Sequence, residues 1–295
     1  MLSFALLIPL LLILLLPAQA LEPETVASML PDTFDLSGHT VVLSVDDGYH
    51  SVYENIYPLL REYGMPITLA LIGGCITSGQ PSYRPQERFL NRAEVREMID
   101  SCGIEIASHT MSHAWLTKVD SATAWHEIAW SKTYLESLFD VPVVSFVYPY
   151  GDMNARARRM VRAAGYRVAR AVRGGDPNLW VDPYRIPEVE LRIETGLPAV
   201  LRHVRHHKVT VILLHRIVRH PVVFTEWPLA DFAELLGWLH RRNVHMTTLS
   251  GLYHEWWQER LAQTLIEQLE ASQKAGAVRL FEDVDVDATR TPHTR

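Results

Sequence analysis

Val41-Val42-Leu43-Ser44-Val45-Asp46-Asp47-Gly48-Tyr49 decides how this chain is read. Five apolar or small residues predict a buried strand, two adjacent carboxylates follow, and a glycine then lets the chain turn. Placing two acids where a hydrophobic strand ends is costly unless something uses them. Further on, a second strand-like run, Ile104-Glu105-Ile106-Ala107, leads into Ser108-His109-Thr110-Met111-Ser112-His113. Its two imidazoles are spaced i,i+4, so a helical turn there would project them from one face, where they could share an ion.

Working outward, the 295 residues are 48% hydrophobic, enough to bury one large core, and a single α/β domain with terminal additions is expected. The formal net charge of −6, with no lysine or arginine stripe, excludes a nucleic-acid partner from the expectations. Met1 to Pro17 is almost wholly apolar and is followed by Ala18-Gln19-Ala20, a pattern that predicts a signal peptide over residues 1–20 and an exported protein, periplasmic, secreted or associated with the cell envelope. No lysine or arginine precedes the apolar run. A retained anchor, with peripheral membrane association, is the alternative, although spanning needs about 20 apolar residues. Cys75 and Cys102 are expected at opposite ends of the sheet, beyond the ~7 Å reach of a bridge, as two free thiols.

Residues 21–39 read as a polar lead-in. Ser51 to Tyr63 has helical spacing interrupted by Pro58, and Ile67 to Ile72 is the second strand. Cys75 to Arg88 reads as a long irregular segment. Asn91 caps a helix to Ser101, Ser121 to Phe139 is a long amphipathic helix, and Asn154 caps another to Ala164. Val143 to Val147, Tyr166 to Ala171, Val209 to Leu214 and His245 to Thr248 are the remaining predicted strands, and Asp231 to Arg242 a helix. His203, His206 and His207 fall in a basic segment expected to be a solvated helix face. Residues 254–280 read as a C-terminal helix and 281–295 as a disordered acidic tail. Alternation of strand and helix predicts a parallel sheet, closed into a barrel or doubly wound. Asp46, Asp47, His109, His113, Tyr150 and His215 all fall just past strand ends, where such folds gather their active sites.

Two histidines and a carboxylate form an open set for Zn²⁺ or a similar divalent ion, and the second carboxylate could act as a base. His215 would protonate a leaving nitrogen, and a backbone N–H in the turn at Tyr150 could stabilise an oxyanion. Ser-Val-Asp-Asp-Gly, Ser-His-Thr-Met-Ser-His, Tyr-Pro-Tyr-Gly and Leu213-Leu214-His215, kept in order over roughly residues 40–253, together resemble the polysaccharide deacetylases, the NodB-homology domain of carbohydrate esterase family four. The resemblance implies a distorted (β/α)7 barrel, here with a C-terminal helical extension, and removal of acetyl groups from an N-acetylhexosamine polysaccharide. It implies Asp46 as general base, Asp47, His109 and His113 as ligands of Zn²⁺, with Co²⁺ or Ni²⁺ as alternatives, Tyr150 as the oxyanion-binding backbone and His215 as general acid.

Two departures stand out. Where many members have an arginine that pairs with the base, this chain has Val147, and Arg185 is the expected substitute. The Asp-x-x-Asp-Trp motif that orients the catalytic histidine is not evident. The Tyr-Pro-Tyr-Gly turn without the arginine looks like the branch acting on poly-β-1,6-N-acetylglucosamine in biofilm matrices. Alternatives are a weak or inactive glycan-binding protein on the same barrel and a small-molecule amidohydrolase. Trp115 and Trp227 are expected near the site, packed in the core or rim or stacked on sugar faces.

Overall fold

The structure is a computed structural model that describes residues 38–78, 87–171 and 182–256. The expected signal peptide, most of the lead-in and the acidic tail lie outside the described residues. Contacts divide the chain into a unit ending at Leu249 and a second beginning at Ser250, of which residues 250–256 are described and helical. The rest of the expected 254–280 helix lies outside the described residues.

The first unit is a curled parallel sheet wrapped by helices, the distorted (β/α)7 barrel type. Strand β1 (Thr40–Val45) sits at its centre, paired in parallel with β2 (Thr68–Leu71) on one side and β7 (Val209–Leu214) on the other. Beyond β2 come β3 (Glu105–Ser108), β4 (Ser145–Val147) and β5 (Val168–Arg170), while β6 (Val189–Glu190) flanks β7 and β10 (His245–Thr247) adds to the start of β1. Both β1 and β7 are buried along nearly their whole length, the outcome expected when a parallel sheet is covered on both faces. Hence their sequences are continuous apolar runs without alternation.

One segment closes the curl. Ile186 bridges Arg170 of β5, and three residues later Val189 pairs with Ile212 of β7, so residues 186–190 join the two ends of the sheet. A barrel was expected, but the strand β6 that makes this closure, and the small pair β8 (Arg216–Val218) with β9 (Glu226–Pro228), were not. Strands of two or three residues carry too few positions for a period to register.

The helices follow their caps. A π-helical turn, Val52–Ile56, runs directly into α1 (Tyr57–Tyr63), and Pro58, which has no N–H to give the preceding turn, sits just past the point where the π spacing gives way to α. Gly73–Ser78 forms a short helix, α2, which corrects the expectation of irregular chain from Cys75. Asn91 and Glu94 make a reciprocal capping box at α3 (Arg92–Cys102), and Asp120 caps α4 (Ser121–Phe139). Asn154 caps α5 (Ala155–Ala163). The α6 helix (Leu197–His206) buries Leu197, Val200, Leu201 and Val204, and α7 (Leu229–Arg241) packs Leu235, Leu236 and Trp238 into the core. His203 of α6 corrects the solvated-face reading: it is partly buried and stacked on His207 at 3.9 Å. Desolvation, with His207 and His206 adding to it, pushes its pKa down to about 4. Both cysteines are free, Cys75 buried in α2 and Cys102 at the end of α3. No helix of the described residues is long and apolar enough to cross a membrane.

Candidate metal and active site

Asp46 follows β1, its N–H donating to Leu214 O at 2.9 Å. In extended chain, neighbouring side chains point to opposite faces. Here Asp47 takes φ 70° and Gly48 φ 80°, the alternation breaks, and both carboxylates line the same cavity. A Cβ on Gly48 would lie 2.7 Å from Leu71 Cδ2, a side-chain end that would have to shift, and the φ of 80° is what calls for glycine at this turn.

His109 follows β3 and its Nδ1 lies 2.9 Å from Val147 O. A carbonyl can only accept, so Nδ1 carries the proton and Nε2 presents a bare lone pair. That atom faces His113 Nε2 at 3.2 Å, Asp47 Oδ1 at 3.5 Å and Asp46 Oδ2 at 3.9 Å, while His113 Nε2 is also 3.5 Å from Asp47 Oδ1. Burial is the main reason the His109 pKa falls to about 4, which keeps the ring neutral at physiological pH.

The imidazoles do not converge through a helical turn, as their spacing suggested. Residues 109–113 are a loop in which Thr110 and His113 take positive φ, 66° and 58°. Two neighbours hold that shape. Gly73 and Gly74 donate to Thr110 O and Met111 O at 2.9 and 2.8 Å, and a Cβ on Gly74 would meet Met111 O at 2.7 Å. From α4, the buried Glu127 accepts from Met111 N and Ser112 N, each at 2.9 Å, and from Ser112 Oγ at 2.7 Å. Glu127 escaped the sequence reading. Its signal was an acid on the buried stripe of α4 beside Ala124, Ile128, Ser131 and Leu135.

The arginine beside Asp46 is Arg170, and the expectation for Arg185 is corrected: Arg185 is exposed. Arg170 is the register partner of Val147 on the neighbouring strand, so the guanidinium enters from one strand over. Its Nη2 donates to both oxygens of Asp46 and its Nε to Ser44 Oγ at 3.1 Å. Burial alone would raise the Asp46 pKa, but Arg170, His109 and His215 outweigh it and hold the carboxyl below the ordinary value. An arginine at the end of an otherwise apolar strand was the available clue.

Tyr150, in the turn Pro149–Gly151, also has positive φ, 59°, and is 53% exposed. It stacks on Trp115 at 4.5 Å and meets His113 edge-on at 4.5 Å. Trp115 Nε1 and Thr117 Oγ1 both donate to Asp152 Oδ2, and Lys118 Nζ lies 3.0 Å from the Trp115 ring centre, so this indole braces the turn. Trp227 is fully buried, its Nε1 donating to Thr195 O, and belongs to the core. His215 follows β7, and no hydrogen-bond partner for its Nδ1 is found among the described residues. The cavity of about 480 Å³ brings together Asp46, Asp47, His109, His113, Tyr150 and His215, with Glu190, Arg192, Phe224 and Thr225 also lining it.

Residues 35–169 match the polysaccharide deacetylase family. Over that stretch, a little under half of its length, the chain is similar to the polysaccharide deacetylases. YxkH of Bacillus subtilis (strain 168), assigned by its name to the polysaccharide deacetylases, is 29% identical over 150 residues, 51% of this chain and 50% of that one. The poly-β-1,6-N-acetyl-D-glucosamine N-deacetylase of Staphylococcus aureus (strain MSSA476) is 27% identical over 136 residues, 43% of this chain and 46% of that one. The chain thus spans about half the length of these relatives. Among solved structures, the family 4 carbohydrate esterase of Streptomyces lividans superposes with a TM-score of 0.51 at 20% identity, covering 70% of this chain and 91% of that one, a likeness of fold.

A divalent metal fits the residues present. Among the described residues the group Asp47, His109 and His113 keeps its donor atoms within 4.8 Å of one another, and Asp47 Oδ1 is buried without a hydrogen-bond donor. Asp46 and Glu188 share the one Arg170 guanidinium, while Asp47 faces only the two imidazoles, so the three buried carboxylates leave a formal deficit of positive charge that a dication would fill.

Proposed function

We propose that this chain is a metal-dependent hydrolase that removes acetyl groups from an N-acetylated polysaccharide. The observation carrying the reading is the convergence of Asp47, His109 and His113 beside Asp46, which is held low in pKa by Arg170, with His215 lining the same cavity. A divalent ion held by Asp47, His109 and His113 would polarise the acetyl carbonyl and acidify water. Asp46, fixed by the Arg170 fork, receives the proton of the attacking water on a carboxylate oxygen. His215 delivers a proton to the departing nitrogen, completing amide cleavage to acetate and a free amine. We assign the Tyr150 N–H as donor to the developing oxyanion, a role supported by the turn closing through Gly151 N–H to Tyr148 O and Asp152 N–H to Pro149 O, neither of which uses it.

Poly-β-1,6-N-acetylglucosamine is the substrate we favour, supported by the named activity of the Staphylococcus aureus relative. Arg170 removes the main motive for a non-catalytic binder, the loss of the arginine at position 147. The test is acetate release by the zinc-loaded protein from β-1,6-linked and β-1,4-linked N-acetylglucosamine oligomers and from peptidoglycan fragments. Release is expected, fastest from the β-1,6 oligomer, and His113→Ala should lose both tight zinc binding and release. Binding of oligomers with no acetate formed by wild type would overturn the catalytic reading.

A further inference from the structure

The mechanism leaves one buried ionic group unused. Glu188 lies on the segment that closes the barrel, between Ile186, which bridges Arg170, and Val189, which pairs with Ile212. Its backbone is therefore fixed from both sides. Its carboxylate meets Nη1 of Arg170, and both side chains are 1% exposed. Arg170 is thereby held at three points: Nε on Ser44 of β1, Nη2 on Asp46 and Nη1 on Glu188.

We propose that Glu188 is a positioning residue for the deacetylation reaction, anchoring Arg170 from the barrel seam so that the guanidinium stays forked on Asp46. A buried guanidinium whose Nη1 loses its carboxylate is left with a neutral acceptor or none, and its charge is then drawn to the remaining carboxylate. The nearest anionic acceptor it already touches is Asp46, so without Glu188 the fork would turn and carry the base with it. Glu188 is absent from the cavity wall, whereas Glu190 and Arg192 line it, so its loss should alter turnover and leave substrate binding alone. No sequence motif marks this role, because the contact exists only where the two ends of the sheet meet.

This inference rests on the deacetylase reading, and the experiment separates the two. Zinc-loaded wild type, Glu188→Gln and Glu188→Asp are compared on a β-1,6-linked N-acetylglucosamine oligomer and on 4-nitrophenyl acetate, and the Arg170 Nε–H signal is followed by ¹⁵N NMR, assigned by its absence in Arg170→Lys. Glu188→Gln is expected to lose roughly tenfold to a hundredfold in kcat with KM within about twofold, and to shift or broaden the Arg170 signal. Glu188→Asp, which keeps the charge at shorter reach, should fall between it and wild type. A Glu188→Gln protein with wild-type kcat and an unmoved Arg170 signal would overturn the proposal, as would a raised KM at unchanged kcat. Should wild type release no acetate from the oligomer, the substrate reading fails, while the NMR signal still decides whether Glu188 holds Arg170. If Glu188→Gln does not fold, Glu188→Asp carries the same comparison, with an unchanged signal and kcat counting against it.

Discussion

Asp46 and His215 leave adjacent parallel strands at the same level, Val45 standing opposite Leu214 in register, yet their surroundings differ. Asp46 is buried and its carboxylate oxygens are gripped by a guanidinium that is itself anchored on Ser44 and Glu188. His215 is partly exposed, its Nδ1 meets no partner among the described residues, and the cavity it lines also includes Phe224, 55% exposed. The proposed base is preorganised by fixed charges before substrate arrives. The proposed acid is left to be oriented by whatever fills the cavity. Preorganisation costs stability where charges are buried, and here it is concentrated on the side that must stay ionised.

The widest test of this asymmetry is a change of leaving group. On an N-acetylglucosamine oligomer, Asp46→Asn and His215→Ala should each lose about 10²–10⁴-fold in kcat. With an aryl acetate, whose phenolate departs without a proton, Asp46→Asn should remain as impaired while His215→Ala recovers to within roughly tenfold of wild type. Equal losses on both substrates would break the division of labour.

A second test sharpens the contrast by loosening the preorganised side without touching any ligand. Glu127→Gln removes the charge that collects three hydrogen bonds from the loop carrying His113, and zinc affinity by titration calorimetry should fall about 10–100-fold. Unchanged affinity would mean that the loop keeps its shape without Glu127. The smallest effect is expected at Gly74, where a Cβ would press on Met111 O. Gly74→Ala should cost about 1–3 kcal/mol in chemical denaturation, because backbone rather than a flexible side chain must give way. A value within 0.5 kcal/mol of wild type, roughly the scatter of neutral surface changes, would show that the turn has slack.

Much of this architecture was legible in the residues. Ser121 to Phe139 and Val209 to Leu214 have the predicted limits, since one carries a long helical period between a capping Asp120 and the exposed Asp140 and the other an unbroken apolar run. The grouping of Asp46, Asp47, His109, His113, Tyr150 and His215 at one end of the sheet followed from their placement after strands. What escaped was of two kinds. Strands β6, β8 and β9 are too short for a pattern. Arg170, Glu188 and Glu127 act through contacts between segments that are not neighbours in the chain, and nothing local distinguishes a charge that finds such a partner from one that faces water.

By itself the order of residues determined the alternation of buried strands and capped helices, and with it the rim on which the polar groups would gather. A strand end is fixed by the run of apolar side chains before it, and that information is local. Only the tertiary structure decided which arginine meets Asp46, and why the two imidazoles face one point although no helix joins them. Those outcomes depend on strand register and on four positive-φ residues, Asp47, Thr110, His113 and Tyr150. For side chains larger than hydrogen that conformation is held by the surrounding hydrogen bonds and packing, and it cannot be read from the residues that adopt it.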